Sequence, residues 1–184
     1  MFEMFYPDAW VASTYEIPFE KLYKKGYRGI IFDIDNTLYD YDSAHLFGME
    51  ALVPHGAPSD ERAEELFERL KEIGFACALI SNNKGPRVQM FNENIRAYTV
   101  CDAHKPSPEN YLKAAALMGV PKDKVLFVGD QIFTDIWGAR LAGIYSILVQ
   151  PIHPKEEIQI VFKRKLEKIV LHFYKKKRQR EKNS

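Results

Sequence analysis

Short apolar runs alternate with amphipathic stretches along most of this 184-residue chain. The runs at 29–34, 75–80, 125–128 and 144–149 are rich in Ile, Val, Leu and Phe and too short for buried helices. They have the profile of strands covered on both faces, and a fifth, shorter strand fits 98–102. Between them, apolar positions recur at helical spacing. Ala63, Leu66, Phe67, Leu70 and Ile73 form one stripe, with Ser59 as its predicted N-cap, Asp60 and Glu61 in its first turn and Gly74 as its stop. Pro86 opens a helix expected to run to about Arg96. Pro108 opens another that Gly119 closes, and 134–142 and a segment from near Lys155 complete the set. Strands alternating with helices predict βαβ units and a three-layer, doubly wound α/β domain with a mainly parallel sheet. Residues 1–28 break the pattern. They hold seven aromatics from Phe2 to Tyr23 and read as an irregular arm with a short helix near 18–25.

The polar residues that matter sit where the apolar runs stop. The strand at 29–34 ends in Asp33-Ile34-Asp35-Asn36-Thr37-Leu38. Two carboxylates at the end of a buried strand are costly to keep charged unless a cation or hydrogen bonds offset the cost. Open α/β sheets bind ligands outside the carboxyl ends of their strands, so this is also where a site belongs. Ser81-Asn82-Asn83 follows the second strand and offers a hydroxyl and amides to a phosphoryl oxygen. Lys105 follows the third. Gly129-Asp130, at the end of the fourth, precedes Asp135 near the next helix start, where a carboxylate caps amides; Gly129 would admit a close approach of a ligand to the backbone. Each signal taken singly is weak, and the alternatives are a turn, a solvated lysine and a capped strand end. Their order, each after an apolar strand, is specific.

That order resembles the haloacid dehalogenase superfamily of aspartate-nucleophile phosphohydrolases over about residues 29–150. Within it, the arm from Tyr6-Pro7-Asp8 to Tyr27-Arg28-Gly29 and the segment Gly129–Asp135 are most similar to the YqeG-like group of subclass IIIA phosphatases, related to mitochondrial phosphatidylglycerophosphate phosphatases. The resemblance implies a Rossmann-like domain and a Mg²⁺-dependent phosphomonoester phosphatase working through an aspartyl phosphate. It makes Asp33 the nucleophile and Asp35 the acid and base. Ser81, Asn82 and Lys105 would hold the phosphoryl oxygens. Asp33, Asp130 and the carbonyl of Asp35 would hold the metal, and Asp135 would support Lys105 or a metal-bound water. These oxygen donors suit Mg²⁺, and no His/Cys cluster favours zinc. A receiver-type fold also gathers aspartates at strand ends but lacks the Asp-x-Asp pair.

Residues from Tyr39 to about Ala51, including Asp40, Asp42, His45 and Phe47, are extra to the family pattern. They are too few for a cap domain, and either a flap over the site or a tolerated surface insertion fits them. The segment Val53–Pro58 resembles the family's usual entry to its first helix. Two cysteines, Cys77 and Cys101, lie in apolar runs and read as reduced core residues. The start has no basic region followed by an apolar one, and no run is long enough to span a membrane, so the cytoplasm is the expected compartment.

Charge divides the chain further. Residues 155–184 carry 11 Lys/Arg against 4 Asp/Glu, while the other 154 residues carry 15 against 21. The expected organisation is therefore a phosphatase domain over 1–154 and a basic helix and tail over 155–184. Ile158, Val161, Phe162, Leu166, Ile169, Val170 and Phe173 stripe that tail. It can dock on the domain, lie on an anionic membrane surface or hold nucleic acid. Correspondingly, a lipid headgroup phosphate, a soluble phosphorylated small molecule and a nucleic-acid phosphomonoester are the candidate substrates. A non-catalytic binding protein on the same fold is the remaining alternative, and the intact Asp33 and Asp35 argue against it.

Overall fold

A computed structural model describes residues 2–39, 59–152 and 158–182, the last stretch with side chains from Arg164 to Glu181. The predicted insertion beyond Tyr39, the segment Val53–Pro58, the helix start near Lys155 and the side chains of Ile158, Val161 and Phe162 lie outside the described residues.

Six parallel strands form one sheet: β1 (Ala9–Val11), β2 (Gly29–Phe32), β3 (Ala76–Ile80), β4 (Tyr98–Val100), β5 (Val125–Gly129) and β6 (Tyr145–Val149). Their order is β1-β6-β5-β2-β3-β4. Alternating side chains send the strand residues to opposite faces. Ile30, Phe32, Leu126 and Val128 join one core with α1 (Phe19–Lys24), α2 (Glu61–Ile73) and α3 (Gly85–Asn92). Ile31, Val125 and Phe127 join another with α4 (Pro108–Met118) and α5 (Trp137–Ala142). The result is the expected three-layer α/β domain. Each large side chain so buried contributes about 1.5–3 kcal/mol.

Several boundaries differ from expectation, each for a local reason. Asp60, not Ser59, caps α2, accepting from the Ala63 amide at 2.8 Å, while the Ser59 hydroxyl donates to Glu64. A carboxylate gains more than a hydroxyl from the positive helix start. Helix α3 stops at Asn92 rather than Arg96. The Asn92 amide side chain bonds both the N–H and the carbonyl of Ala97 and so takes over from the helical backbone. The turn before α5 begins at Ile132 as a wide π-type turn. Gly119 ends α4 with a φ of +66°, a conformation that costs glycine little.

The aromatic arm contributes the strand β1, which is three residues long and only half-buried, too short to show a period in the sequence. Three of the arm's aromatics meet the last helix, α6 (Ile158–Lys182). Phe2 stacks on Phe173, Tyr6 packs edge-on against Tyr174, and the Lys175 ammonium lies 4.6 Å from the Trp10 ring. Val170 and Tyr174 are buried, so α6 docks on the domain along one face. Among the described residues no helix is long and apolar enough to cross a membrane. Cys77 and Cys101 are half-buried free thiols, and burial pushes Cys77 up to about 12.

Candidate active site

Strand β2 lies between β5 and β3, the point at which the chain order reverses across the sheet. Phe32 stands in register with both Val128 and Leu79. The residues that follow the three strands therefore leave the sheet side by side. Asp33 is held at the strand end by its amide on the Val128 carbonyl (2.9 Å), and Ser81 by its amide on the Val100 carbonyl (3.1 Å). Beyond Asp33 the chain turns back on the Ile34 carbonyl, with Asn36 at a φ of +60°, which Asn tolerates better than most side chains.

Three carboxylates meet in this crevice. Oxygens of Asp33, Asp130 and Asp135 all lie within 4.8 Å of one another, and all three residues are buried. The Lys105 ammonium, from the loop after β4, sits among them at 2.5 Å from Asp33 Oδ1 and 2.7 Å from Asp135 Oδ1. The second oxygen of Asp135 accepts from the Gln131 amide at 3.0 Å, the capping contact expected at this helix start. The Tyr111 hydroxyl anchors the same turn by donating toward the carbonyls of Thr134 and Asp135. Gly129 makes this packing possible. A Cβ there would lie 2.7 Å from Asp135 Cβ and 2.7 Å from the Phe127 ring, so the space serves the protein's own side chains rather than a ligand.

Two further residues of the crevice carry no signal in the motifs. Arg164 and Glu167, one turn apart on α6, reach the end of β5. Arg164 Nη2 pairs with Asp130 Oδ2, and its Nη1 donates to the Asp130 carbonyl at 2.5 Å and to Glu167 Oε2 at 2.9 Å. Glu167 Oε1 accepts from the Ile132 amide at 2.7 Å. The first described side chains of the basic tail thus form part of the wall of the site. The clue available in the sequence is Glu167 itself, an acid within a basic run and on the same helical face as Val170 and Tyr174.

Charge in the crevice is unbalanced. Among the described residues, Asp33, Asp130, Asp135 and Glu167 pair with Lys105 and Arg164, so when all are ionised the acids outnumber the bases by two, a deficit that one divalent cation would fill. The proton affinities follow. Burial, with Asp135, Asp130 and Asp35 adding to it and Lys105 opposing it, holds Asp33 well above the usual carboxylate range. Burial and then Asp135 push Asp130 up to about 7 against the pull of Arg164. Lys105 is held well above its ordinary value because Asp135 and Asp33 outweigh its burial. A single hydroxyl, Thr37 Oγ1, lies 3.2 Å from Asp33 Oδ2 and 3.3 Å from Asp130 Oδ1, and it can donate to only one of them. The residues thus fit a hard divalent cation between Asp33 and Asp130, in an all-oxygen set.

Asp35 stands apart on the open side. Its side chain is 33% exposed against 6% for Asp33, which leaves it within reach of water and a leaving group. Asn83 Nδ2 donates to its Oδ2 at 2.7 Å, and Arg87, on α3, pairs with its Oδ1. Together with Tyr39 and Ser81 these residues line a small cleft beside the carboxylates. Ser81 is buried and its Oγ accepts from the Asn83 amide; Asn82 is exposed and its Oδ1 accepts from the Lys105 amide at 2.8 Å. The structure thus brings Lys105 into direct contact with Asp33 and Asp135, sets Asp130 within 4.8 Å of both acids and ties Asn82 to the Lys105 loop. It leaves Asp35 paired with Asn83, whose amide the sequence pattern offers to a phosphoryl oxygen, and with Arg87, which the motif pattern does not single out.

Known proteins resemble this chain in sequence and in fold. The sequence profile of the haloacid dehalogenase-like hydrolases matches residues 48–143, just over half of the chain. A probable phosphatase of Bacillus subtilis, YqeG, is 32% identical over 175 residues, covering 95% of this chain and 94% of its own. The chloroplastic/mitochondrial phosphatidylglycerophosphate phosphatase 1 of Arabidopsis thaliana is 27% identical over 84% of this chain, which spans 43% of that protein. Among solved structures, the cobalt-bound deoxy-D-mannose-octulosonate 8-phosphate phosphatase of Haemophilus influenzae superposes with a TM-score of 0.52 at 13% identity, over 70% of each chain, a likeness of fold.

Proposed function

The chain belongs to the haloacid dehalogenase-like hydrolases and is a phosphatase, and from that premise we propose that it hydrolyses phosphomonoesters through an aspartyl phosphate on Asp33, with Mg²⁺ as cofactor. The observation that carries this reading is the buried contact of Lys105 with Asp33 at the end of β2, beside a half-buried second carboxylate, Asp35. A carboxylate oxygen of Asp33 attacks phosphorus, and the bond to the ester oxygen breaks. Asp35 gives its proton to the departing alkoxide, then takes one from the water that cleaves the acyl phosphate, which releases phosphate and restores Asp33. Lys105 and Ser81 hold charge on the equatorial oxygens, with Asn82 fixing the Lys105 loop. Asp135 keeps Lys105 in place. Asp33, Asp130 and the Asp35 carbonyl would hold Mg²⁺, whose charge would offset the repulsion between the carboxylate nucleophile and the phosphate.

The outward face of α6 supports a reading of the substrate class. Its outward face exposes Leu166, Ile169 and Phe173, with Phe2 stacked on Phe173 and Met4 also exposed. Lys165 and Lys176 flank this strip and are exposed as well. An apolar strip edged by cations suits an anionic lipid surface. A phosphorylated lipid headgroup is accordingly the proposed substrate, a reading also supported by the Arabidopsis relative's name. Acid-quenched single turnover of a ³²P-labelled phosphomonoester tests the chemistry. Label should appear on the protein, map to Asp33 and vanish in Asp33→Asn. Turnover without any labelled protein in wild type or Asp35→Asn would refute the intermediate.

A further inference from the structure

One turn of α6 grips the metal-side loop at three points: the Asp130 carboxylate, the Asp130 carbonyl and the Ile132 amide. The grip is more than docking, because α6 is already seated by Val170 and Tyr174 in an apolar cluster with Ile132, Ile136 and Leu148 and against the aromatic arm. Arg164 and Glu167 are mostly sequestered, with side chains 17% and 6% exposed, and a charged pair of that kind is retained at a cost in desolvation. What the pair does is visible in the two oxygens of Asp130. Oδ2 is taken by Arg164, and Oδ1 lies 3.3 Å from Thr37 Oγ1, which is itself 3.2 Å from Asp33 Oδ2. The guanidinium fork, fixed on its other side by Glu167, holds both the carboxylate and its own backbone carbonyl, which sets the plane of the side chain.

We propose that Arg164, locked by Glu167, is a positioning residue of the phosphatase site, holding Asp130 so that one carboxylate oxygen is presented toward Asp33 for the divalent cation. The inference rests on the metal reading given above and adds α6 to the machinery. Groups that orient metal ligands in this way are worth roughly 10–100-fold in metal affinity.

The test uses the full chain and Mg²⁺ alone, by titration calorimetry and by Mg²⁺-dependent melting, with turnover of a small soluble phosphomonoester as a second readout. Arg164→Gln should bind Mg²⁺ about 10–100-fold more weakly, and excess Mg²⁺ should return most of its kcat. Arg164→Lys keeps a cation but loses the fork and should fall between the two. Tyr174→Ala loosens α6 without touching Asp130. It should lower the melting temperature yet leave the Mg²⁺ dissociation constant near wild type, and it separates positioning from folding. Unchanged Mg²⁺ affinity in a folded Arg164→Gln or Arg164→Lys overturns the proposal. An equal loss in Tyr174→Ala does so too, as does tighter binding in Arg164→Gln, which would mean that the guanidinium competes with the metal. Failure of the wild-type protein to bind Mg²⁺ would instead overturn the metal reading, and this proposal with it.

Discussion

Replacing Gly129 by Ala tests whether the crevice is as tightly built as the distances say. The added carbon would lie 2.7 Å from both Asp135 Cβ and Phe127 Cε1, and 2.8 Å from Asp135 Cγ. Carbon pairs prefer about 3.5–4.0 Å, so Asp135 or the Phe127 ring has to move by most of an ångström. Both are buried, and overpacking of this kind costs about 1–3 kcal/mol. For a domain of this size that lowers Tm by about 2–12 °C. Turnover should fall further than stability, since Asp135 holds Lys105 at 2.7 Å and a misplacement of about 1 Å can cost roughly 100-fold. Gly119→Ala is the control. Its φ is +66° with no atom within 4 Å of the new carbon, so it should lose about 1–2 kcal/mol from backbone strain alone and keep its kcat. Thermal melts and steady-state turnover on the two variants decide the matter. A Gly129→Ala protein with wild-type kcat and a Tm within about 2 °C of the parent would refute the packing argument.

Three further expectations concern the chemistry and its surroundings. Asp33→Asn should abolish turnover of any phosphomonoester, and Asp35→Asn should slow it and let labelled protein accumulate; wild-type-like rates in Asp33→Asn would end the mechanism. Chelation should remove activity, with Mg²⁺ restoring it better than Ca²⁺, whose looser shell misplaces the attacking oxygen; full activity in excess chelator contradicts this. In chelator, Asp130 binds its proton more tightly folded than unfolded, with about 7 against an ordinary 3.8. The stability this contributes is complete below the lower value and lost as pH rises to the upper one. Melting temperature should therefore drop across that interval, less so in Asp130→Asn, and a flat profile would speak against the burial of that carboxylate.

Much of the site was legible because its parts are local. Asp33, Asp35, Ser81 and Asp130 each stand within three residues of a strand end, and an apolar run of four to six residues marks such an end without reference to the rest of the chain. Lys105 and Asp135 were legible through their spacing from those ends. Arg164 and Glu167 were not, since their contacts span 34 and 35 residues and arise only when α6 folds back across the strand ends. The sequence there reads as a basic amphipathic stretch, and nothing in its period separates a helix that lies on a membrane from one that lies on its own domain. Arg87 was hidden for another reason: it is one helical turn past Asn83, on a helix whose apolar stripe is weak. The strand β1 was missed because three half-buried residues carry no period at all.

That same strand has a consequence for how the molecule assembles. β1 finds its only described neighbour in β6, across 138 residues of chain, through the Ala9–Ile147 register and the Asp8–Ser146 hydrogen bonds. Every other strand pair spans a shorter stretch of chain. The sheet is thus finished by its earliest strand, which must wait unpaired until β6 exists, and loop-closure entropy makes so distant a pairing slow. During that interval the edge of β6 and the aromatics Trp10, Tyr6 and Phe5 are exposed together. A refolding chain should pass through a species that has most of its sheet yet binds hydrophobic dyes, and Asp8, which ties Ser146 and Arg140 to the arm, sets how quickly that species is consumed.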